Sequence, residues 1–416
     1  MDQNSDPLPN VAVYYQGIDA GEDLSKLGDV DYVVTVRQAD EAAAVDAIHT
    51  TGAKAFRYVQ SYWFPSNREY DGFDIGANLD QAFCETGNKP RIGREPNGVP
   101  WYFIDANERV VREMFAQLLD ELAGYGYDGI MFDRGLAALT GADAERAGIW
   151  HKSSTCTDDP VEPGATLADA YVGLMSEVDG AGLELFQNYG FSPFHPLLPF
   201  RPDPADPACH DDPYAAECSH IDDGMEHVDL WLNEAVALPK DELFEQSYET
   251  NLAGETHPEF GGKVVGLITE GTLKGDVSRR AVYYQYARSR LFAIPVAVFT
   301  GDDECGGNDG LCNRHGIYRE LNDLDLGEPL SDEPTARACT GDSDTNCVWS
   351  RRYDGGVVVA NVSEESRTAE IDLATEDCTV VTELFAGTLV ADGNCVDTID
   401  LELPPWSGRI LRFGNA

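Results

Sequence analysis

Two carboxylates end apolar runs in this sequence. Asp128-Gly-Ile-Met-Phe-Asp133 closes on Asp133, and His227-Val-Asp-Leu-Trp-Leu-Asn-Glu234 closes on Glu234. A carboxyl that keeps its proton can donate it to a leaving oxygen. An ionised one can attack carbon or activate water. Breaking a glycosidic bond needs both. Arg134 adjoins Asp133, and a neighbouring cation favours the ionised form. Asp133 therefore suits nucleophile or base, and Glu234 suits general acid. Glu270 ends another apolar run, Lys263-Val-Val-Gly-Leu-Ile-Thr-Glu270, and competes as the acid or as a substrate contact. The structural alternative for Asp133 is a carboxylate satisfied by Arg134 or by backbone.

Other run ends carry groups suited to hydroxyls and sugar rings. They are Tyr15, Arg37, Tyr62 with Trp63, Asn188 with Tyr189, and Asn233. Trp101 stands near a helix start and could line the same cleft. Aromatic faces stack on sugars, while amides and carboxylates hydrogen-bond hydroxyls. The eight His form no HExxH or other paired spacing, so no metal site is expected. There is no P-loop, no GxGxxG and no GxSxG, so no nucleotide, other cofactor or serine nucleophile is expected. The acidic stretch 302–309 lacks EF-hand spacing and reads as a solvated loop rather than a Ca²⁺ site.

These residues need a scaffold that gathers run ends on one face. Eight strand-like runs begin near 11, 31, 53, 128, 183, 227, 263 and 295. Helical stretches at 40–51, 106–123, 165–180 and 276–293 alternate with them. Asp105-Ala-Asn-Glu108 reads as a capping box for the second helix. Eight strands alternating with helices predict a (β/α)8 TIM barrel over 8–305, whose catalytic residues sit at the carboxyl ends of the strands. Residues 64–100 read as a long irregular segment. Beyond 345 the helices stop, and strand-like runs appear at 347–353, 356–362, 367–373, 378–385, 395–403 and 408–413. They predict a small C-terminal antiparallel β-sandwich domain over 345–416, reached by a disulfide-tied connector over 306–344.

The chain of 416 residues holds 29 Lys+Arg against 74 Asp+Glu, a net charge of −45, with only 7 Lys. No broad surface can neutralise phosphates, so no nucleic-acid partner is expected. No apolar run approaches 18 residues, so no membrane insertion is expected. An acidic, Lys-poor surface suits a halophilic protein, since about 1 M salt shortens the Debye length to about 3 Å. The alternative is an acidic secreted protein from a mesophilic or marine source. Ten Cys include the close couples 209/218, 305/312, 339/347 and 378/395, leaving Cys84/Cys156 by elimination. Read as disulfide bonds, they point to a secreted, extracellular protein; the alternative is free buried thiols. Met1 is followed by a polar start with no signal-like run, as in a mature chain. Asn361-Val-Ser363 is a lone glycosylation sequon.

Trp101-Tyr-Phe-Ile-Asp105, the helix after it and Tyr127-Asp-Gly-Ile-Met-Phe-Asp133 resemble the W-x-x-x-D, helix, D-G-[IV]-x-x-D stretch of barrel glycoside hydrolases. The set includes glycoside hydrolase family 114 and its relatives acting on microbial exopolysaccharides. The resemblance covers about 100–330 at motif level. It implies a carbohydrate-cleaving hydrolase with an Asp ending the fourth strand and a Glu ending a later one, which here are Asp133 and Glu234. The chain departs from family 114 in its cysteine-tied loops and terminal β-domain. The expected partner is a poly- or oligosaccharide, and the expected state a monomer or weak oligomer. The rival reading is a non-catalytic carbohydrate-binding or cell-envelope protein on a barrel scaffold.

Overall fold

The computed structural model describes residues 11–14, 18, 23–27, 29–60, 63–65, 91–94, 100–103, 106–133, 160–165, 167–188, 227–233, 264–268, 279–291, 296–300, 321, 323–331, 333–340, 346–373, 380–385, 387–392 and 396–414, with residue 28 outside this set. Eight short strands pair in parallel. They are β1 (Val11–Tyr14), β2 (Tyr32–Thr35), β3 (Lys54–Gln60), β7 (Gly129–Asp133), β8 (Glu184–Asn188), β9 (Leu230–Asn233), β10 (Val264–Ile268) and β11 (Val296–Thr300). They follow one another in that order, and β11 returns to pair with β1, which closes the ring. Four crossover helices are described: α1 (Glu41–His49), α2 (Arg109–Tyr125), α3 (Leu167–Gly180) and α4 (Arg279–Leu291).

Alternation along the strands sorts the core into two shells. Val34, Phe56, Tyr58, Met131, Phe186, Leu230 and Leu232 fill the ring. Val33, Ala55, Val59, Ile130, Phe132 and Leu185 face outward into the helical layer. There α2 presents Val111, Phe115, Leu118, Leu119 and Leu122, one stripe at helical spacing. Phe56 and Phe186 stack with centroids 3.8 Å apart, and Tyr32 meets both edge-on. This aromatic plug leaves no room at Gly129: a Cβ there would lie 2.2 Å from the Phe56 ring and 2.5 Å from the Glu184 carbonyl oxygen. Gly129→Ala is expected to cost about 1–3 kcal/mol by overpacking, measurable by denaturant unfolding. An unchanged midpoint would mean the plug can shift.

Three features differ from the sequence expectations. The third ring strand stops at Gln60, where its pairing with Asp133 ends. Trp63 belongs instead to β4 (Trp63–Pro65), which joins β5 (Arg91–Arg94) and β6 (Pro100–Phe103) in a separate three-stranded sheet, with Trp101 opposite Pro65. Part of the segment read as irregular is therefore antiparallel sheet. The helix α2 also starts later, at Arg109, with Glu108 as an N-cap that makes no side-chain cap bond; Asp105, the other end of the expected capping box, lies outside the described residues. Asn107 is used otherwise: its amide donates to the Glu162 carbonyl and accepts from the Glu162 N–H, each at 2.9 Å. These two bonds make a tertiary clamp across 55 residues.

The C-terminal region is two antiparallel sheets. One runs β12 (Thr335–Arg337), β13 (Val348–Tyr353), β14 (Gly356–Asn361), β19 (Ser407–Gly414), β16 (Val380–Glu383), β17 (Thr388–Asp392); the other pairs β15 (Arg367–Asp372) with β18 (Thr398–Leu403). The strand β12 comes from the stretch read as connector, and β17 (Thr388–Asp392) from the gap between the strand-like runs 378–385 and 395–403. The expected Cys339–Cys347 disulfide is present beside β13; the other four couples lie outside the described residues. Every residue of β14 is buried, as its unbroken GVVVAN run suggests. Val357 and Val359 face the β15–β18 sheet, while Val358 and Ala360 face the barrel side.

The helix α4 carries RRAVYYQYARSRL yet is buried from Tyr283 to Leu291 between ring and sheet. Its last carbonyls, which have no partner within a helix, are taken by sheet side chains. Arg351 Nη1 donates to the Leu291 carbonyl at 2.8 Å, and the Tyr353 hydroxyl donates to that of Arg290. An arginine there also complements the negative end of the helix dipole. Gly408 permits the approach, since a Cβ on it would lie 2.3 Å from the Tyr283 carbonyl oxygen.

Candidate active site

All eight ring pairings are parallel, so the strand ends share one face. They are Tyr14, Thr35, Gln60, Asp133, Asn188, Asn233, Ile268 and Thr300. Three neighbours in the ring, β3, β7 and β8, end in Gln60, Asp133 and Asn188, and Gln60 is in register with Asp133. Each stands two residues beyond a ring-filling side chain: Tyr58, Met131 and Phe186. Asn233 ends β9 one residue after the ring-filling Leu232. Arg37 is exposed, two residues past the end of β2. Tyr15, Tyr62, Arg134, Tyr189, Glu234 and Glu270 lie outside the described residues, and Trp63 and Trp101 sit in the separate three-stranded sheet described above.

The rim is braced by a buried amide, Gln38, that belongs to no catalytic motif. Gln38, 6% exposed, accepts from the Ile18 N–H at 2.7 Å. It also donates to the Thr35 hydroxyl at 2.5 Å and to the Val36 carbonyl at 2.7 Å. One side chain thus ties the loop after β1 to the end of β2. Further out, buried Arg57 lies 3.4 Å from Glu41, whose other oxygen takes the Tyr127 hydroxyl at 2.5 Å. Burial, with Glu41 beside it, pushes the Tyr127 phenol well above its ordinary range, so it stays a donor. The available sequence signal was a polar residue where alternation or burial called for an apolar one.

The opposite face is a closed floor. Lys54 donates to Glu184 and lies 5.7 Å from the Tyr32 ring. Its bond to Glu184 raises the ammonium pKa, and burial with the Glu184 charge raises that of the Tyr32 phenol. Asp128 accepts from the Ala55 N–H at 2.7 Å and meets His49 at 2.8 Å. Asp229 accepts from the Leu185 N–H at 2.8 Å. Asp229 precedes β9 and works on the floor. Carboxylates there are engaged in holding strand starts, as suits the stability face of a barrel.

No family model matches the chain, and no curated protein matches it. Among solved structures, Eubacterium rectale Amy13B aligns with a TM-score of 0.50 at 10% identity, over 98% of this chain and 96% of that one. The shared fold is a (β/α)8 barrel with a C-terminal domain. An alpha-amylase from H. orenii aligns at TM-score 0.49 and 11% identity, over 93% of this chain and 91% of that one. The glycoside hydrolase domain of PelA from Pseudomonas aeruginosa aligns at TM-score 0.40 and 17% identity, over 70% of this chain and 94% of that one. Weight rests on the first likeness, and only for the fold.

Proposed function

We propose that the chain is a glycoside hydrolase that cleaves a poly- or oligosaccharide, with Asp133 as nucleophile or base and Glu234 as general acid. The observation that carries this reading is the position of Asp133. It is the last residue of a ring strand, at the parity of Met131, between the ends Gln60 and Asn188. Positions two apart lie on one face of a strand, and Met131 fills the ring. Glu234 directly follows β9, which ends at Asn233, and itself lies outside the described residues. The motif from Trp101 to Asp133 supports a sugar-cleaving barrel. Family 114 is the proposed kinship, and Glu270 is the alternative acid. The proposed catalytic unit is the ring over 8–305, joined through 306–344 to the sandwich over 345–416.

An ionised Asp133 would attack the anomeric carbon or activate a water, while Glu234 would protonate the leaving oxygen. Tyr15, Arg37, Tyr62, Trp63, Trp101, Arg134, Asn188, Tyr189 and Asn233 are the proposed substrate contacts. The test is a glycan panel in concentrated salt, read by new reducing ends. Turnover by the wild type that Glu234→Gln removes supports the scheme. Glycan binding without turnover identifies the rival, non-catalytic reading.

No helix among the described residues is long and apolar enough to cross a membrane, and one disulfide is present. Both fit the proposed secreted location. Salt adaptation is proposed from the β15–β18 ladder. Its exposed face sets Glu370 opposite Asp400, with Glu402 and Asp372 on either side. Like charges directly opposed destabilise a sheet, and salt screens them. Glu370→Gln is expected to stabilise the protein by about 0.5 kcal/mol in dilute buffer and by nothing measurable at about 1 M salt. Equal effects in both buffers would contradict the electrostatic reading.

A further inference from the structure

We propose that Gln187 and Tyr171 are positioning residues for Asp133, an inference that rests on the catalytic reading of that carboxylate. Both are buried, Gln187 at 0% and Tyr171 at 1% exposed. The Tyr171 hydroxyl, on α3, donates to Gln187 Oε1 at 2.8 Å. Gln187 Nε2, on β8, donates to the Phe132 carbonyl at 3.3 Å, on β7. These bonds cross a seam otherwise made of Ala170, Leu174, Met175, Phe132 and Leu185, where an apolar side chain would pack without polar demands. A buried amide adds what an apolar residue cannot, because its two partners must sit at fixed places.

Those places concern the rim. Gln187 pairs in register with Phe132, so the next residues outward are Asn188 and Asp133. The Phe132 carbonyl and the Asp133 N–H belong to one rigid peptide unit. Holding that carbonyl fixes the plane from which the Asp133 side chain departs. The same amide side chain spans the two strand ends that carry Asp133 and Asn188. Small displacements of a reacting group are costly to rate, so the tyrosine–glutamine relay sets where the carboxylate meets its substrate.

Tyr171→Phe removes the bond to Gln187, Gln187→Met removes both bonds of the relay, and each keeps the bulk. Each is expected to lower kcat about tenfold with KM within about twofold, and the double variant to be no worse than the poorer single. Amide hydrogen exchange provides a readout independent of activity. Exchange at Asp133 is expected to speed about tenfold, while Ile130, mid-strand in β7, keeps its rate. Unchanged kcat, or equal acceleration at both amides, would reduce the pair to ordinary core and overturn the proposal. If the wild type cleaves no glycan, the catalytic reading fails by itself, and the contrast between the two amides still decides whether the relay positions residue 133.

Discussion

Replacing Asp133 with Asn is expected to lower hydrolysis about a thousandfold or more while leaving the unfolding midpoint nearly unchanged. The amide keeps the size of the carboxyl but can neither attack carbon nor take a proton, and positioned groups of this kind contribute about 10²–10⁴ in rate. The fold should tolerate the change, because the strand bonds that hold position 133 run through backbone, in register with Gln60. Glu234→Gln should behave differently with the leaving group. A general acid matters most when the departing oxygen is strongly basic, so aryl glycosides with acidic phenols should retain much more activity than natural glycans. Reducing-end and phenol-release assays on the two variants measure both effects. Full activity in Asp133→Asn removes that residue from the scheme.

The largest stability loss is expected from Asn361→Asp, at about 3–5 kcal/mol in denaturant unfolding at neutral pH. Asn361 is fully buried at the end of β14. Its Nδ2 faces the carbonyls of Glu365, Leu403 and Pro404 at 2.8, 3.0 and 2.9 Å. Its Oδ1 accepts from the N–H and hydroxyl of Ser363 at 3.1 and 2.7 Å. An aspartate would turn an oxygen toward three carbonyl oxygens and bury a charge whose nearest cation, Arg367, is bonded to Ser363 instead. The geometry also explains the sequon: the nitrogen that would carry a glycan is engaged inside the sandwich. A loss under about 1 kcal/mol would mean that this junction relaxes around the change.

The sequence was most legible where burial was two-sided. Ring strands such as β7 read as short apolar runs with a polar stop, because interior and helix layer both demand apolar side chains. The β14 run was legible for the same reason. Long-range geometry was not legible. Asp105-Ala-Asn-Glu108 has the letters of a capping box, but Asn107 is claimed by Glu162, and α2 begins later. The strands β4 to β6 escaped notice because WFP, RIGR and PWYF are short and rich in Pro, Gly and Arg. Nothing in RRAVYYQYARSRL announces a buried helix; its last carbonyls are bonded by Arg351 and Tyr353, and its Tyr283 and Tyr284 rings meet Phe385 and Trp406, all far along the chain. For the site, Asp133 at the carboxyl end of a ring strand was readable from DGIMFD. The Tyr171–Gln187 relay was not, since only the folded register brings it to Phe132.

The separation of the Asp133 and Glu234 carboxyl groups in an experimental structure tests the central claim most directly. The proposed mechanism requires both at the mouth of the ring, about 5–5.5 Å apart for retention of configuration or about 6.5–9.5 Å for inversion. Carboxyl groups well beyond about 10 Å, or on opposite sides of the strand ring, would contradict it.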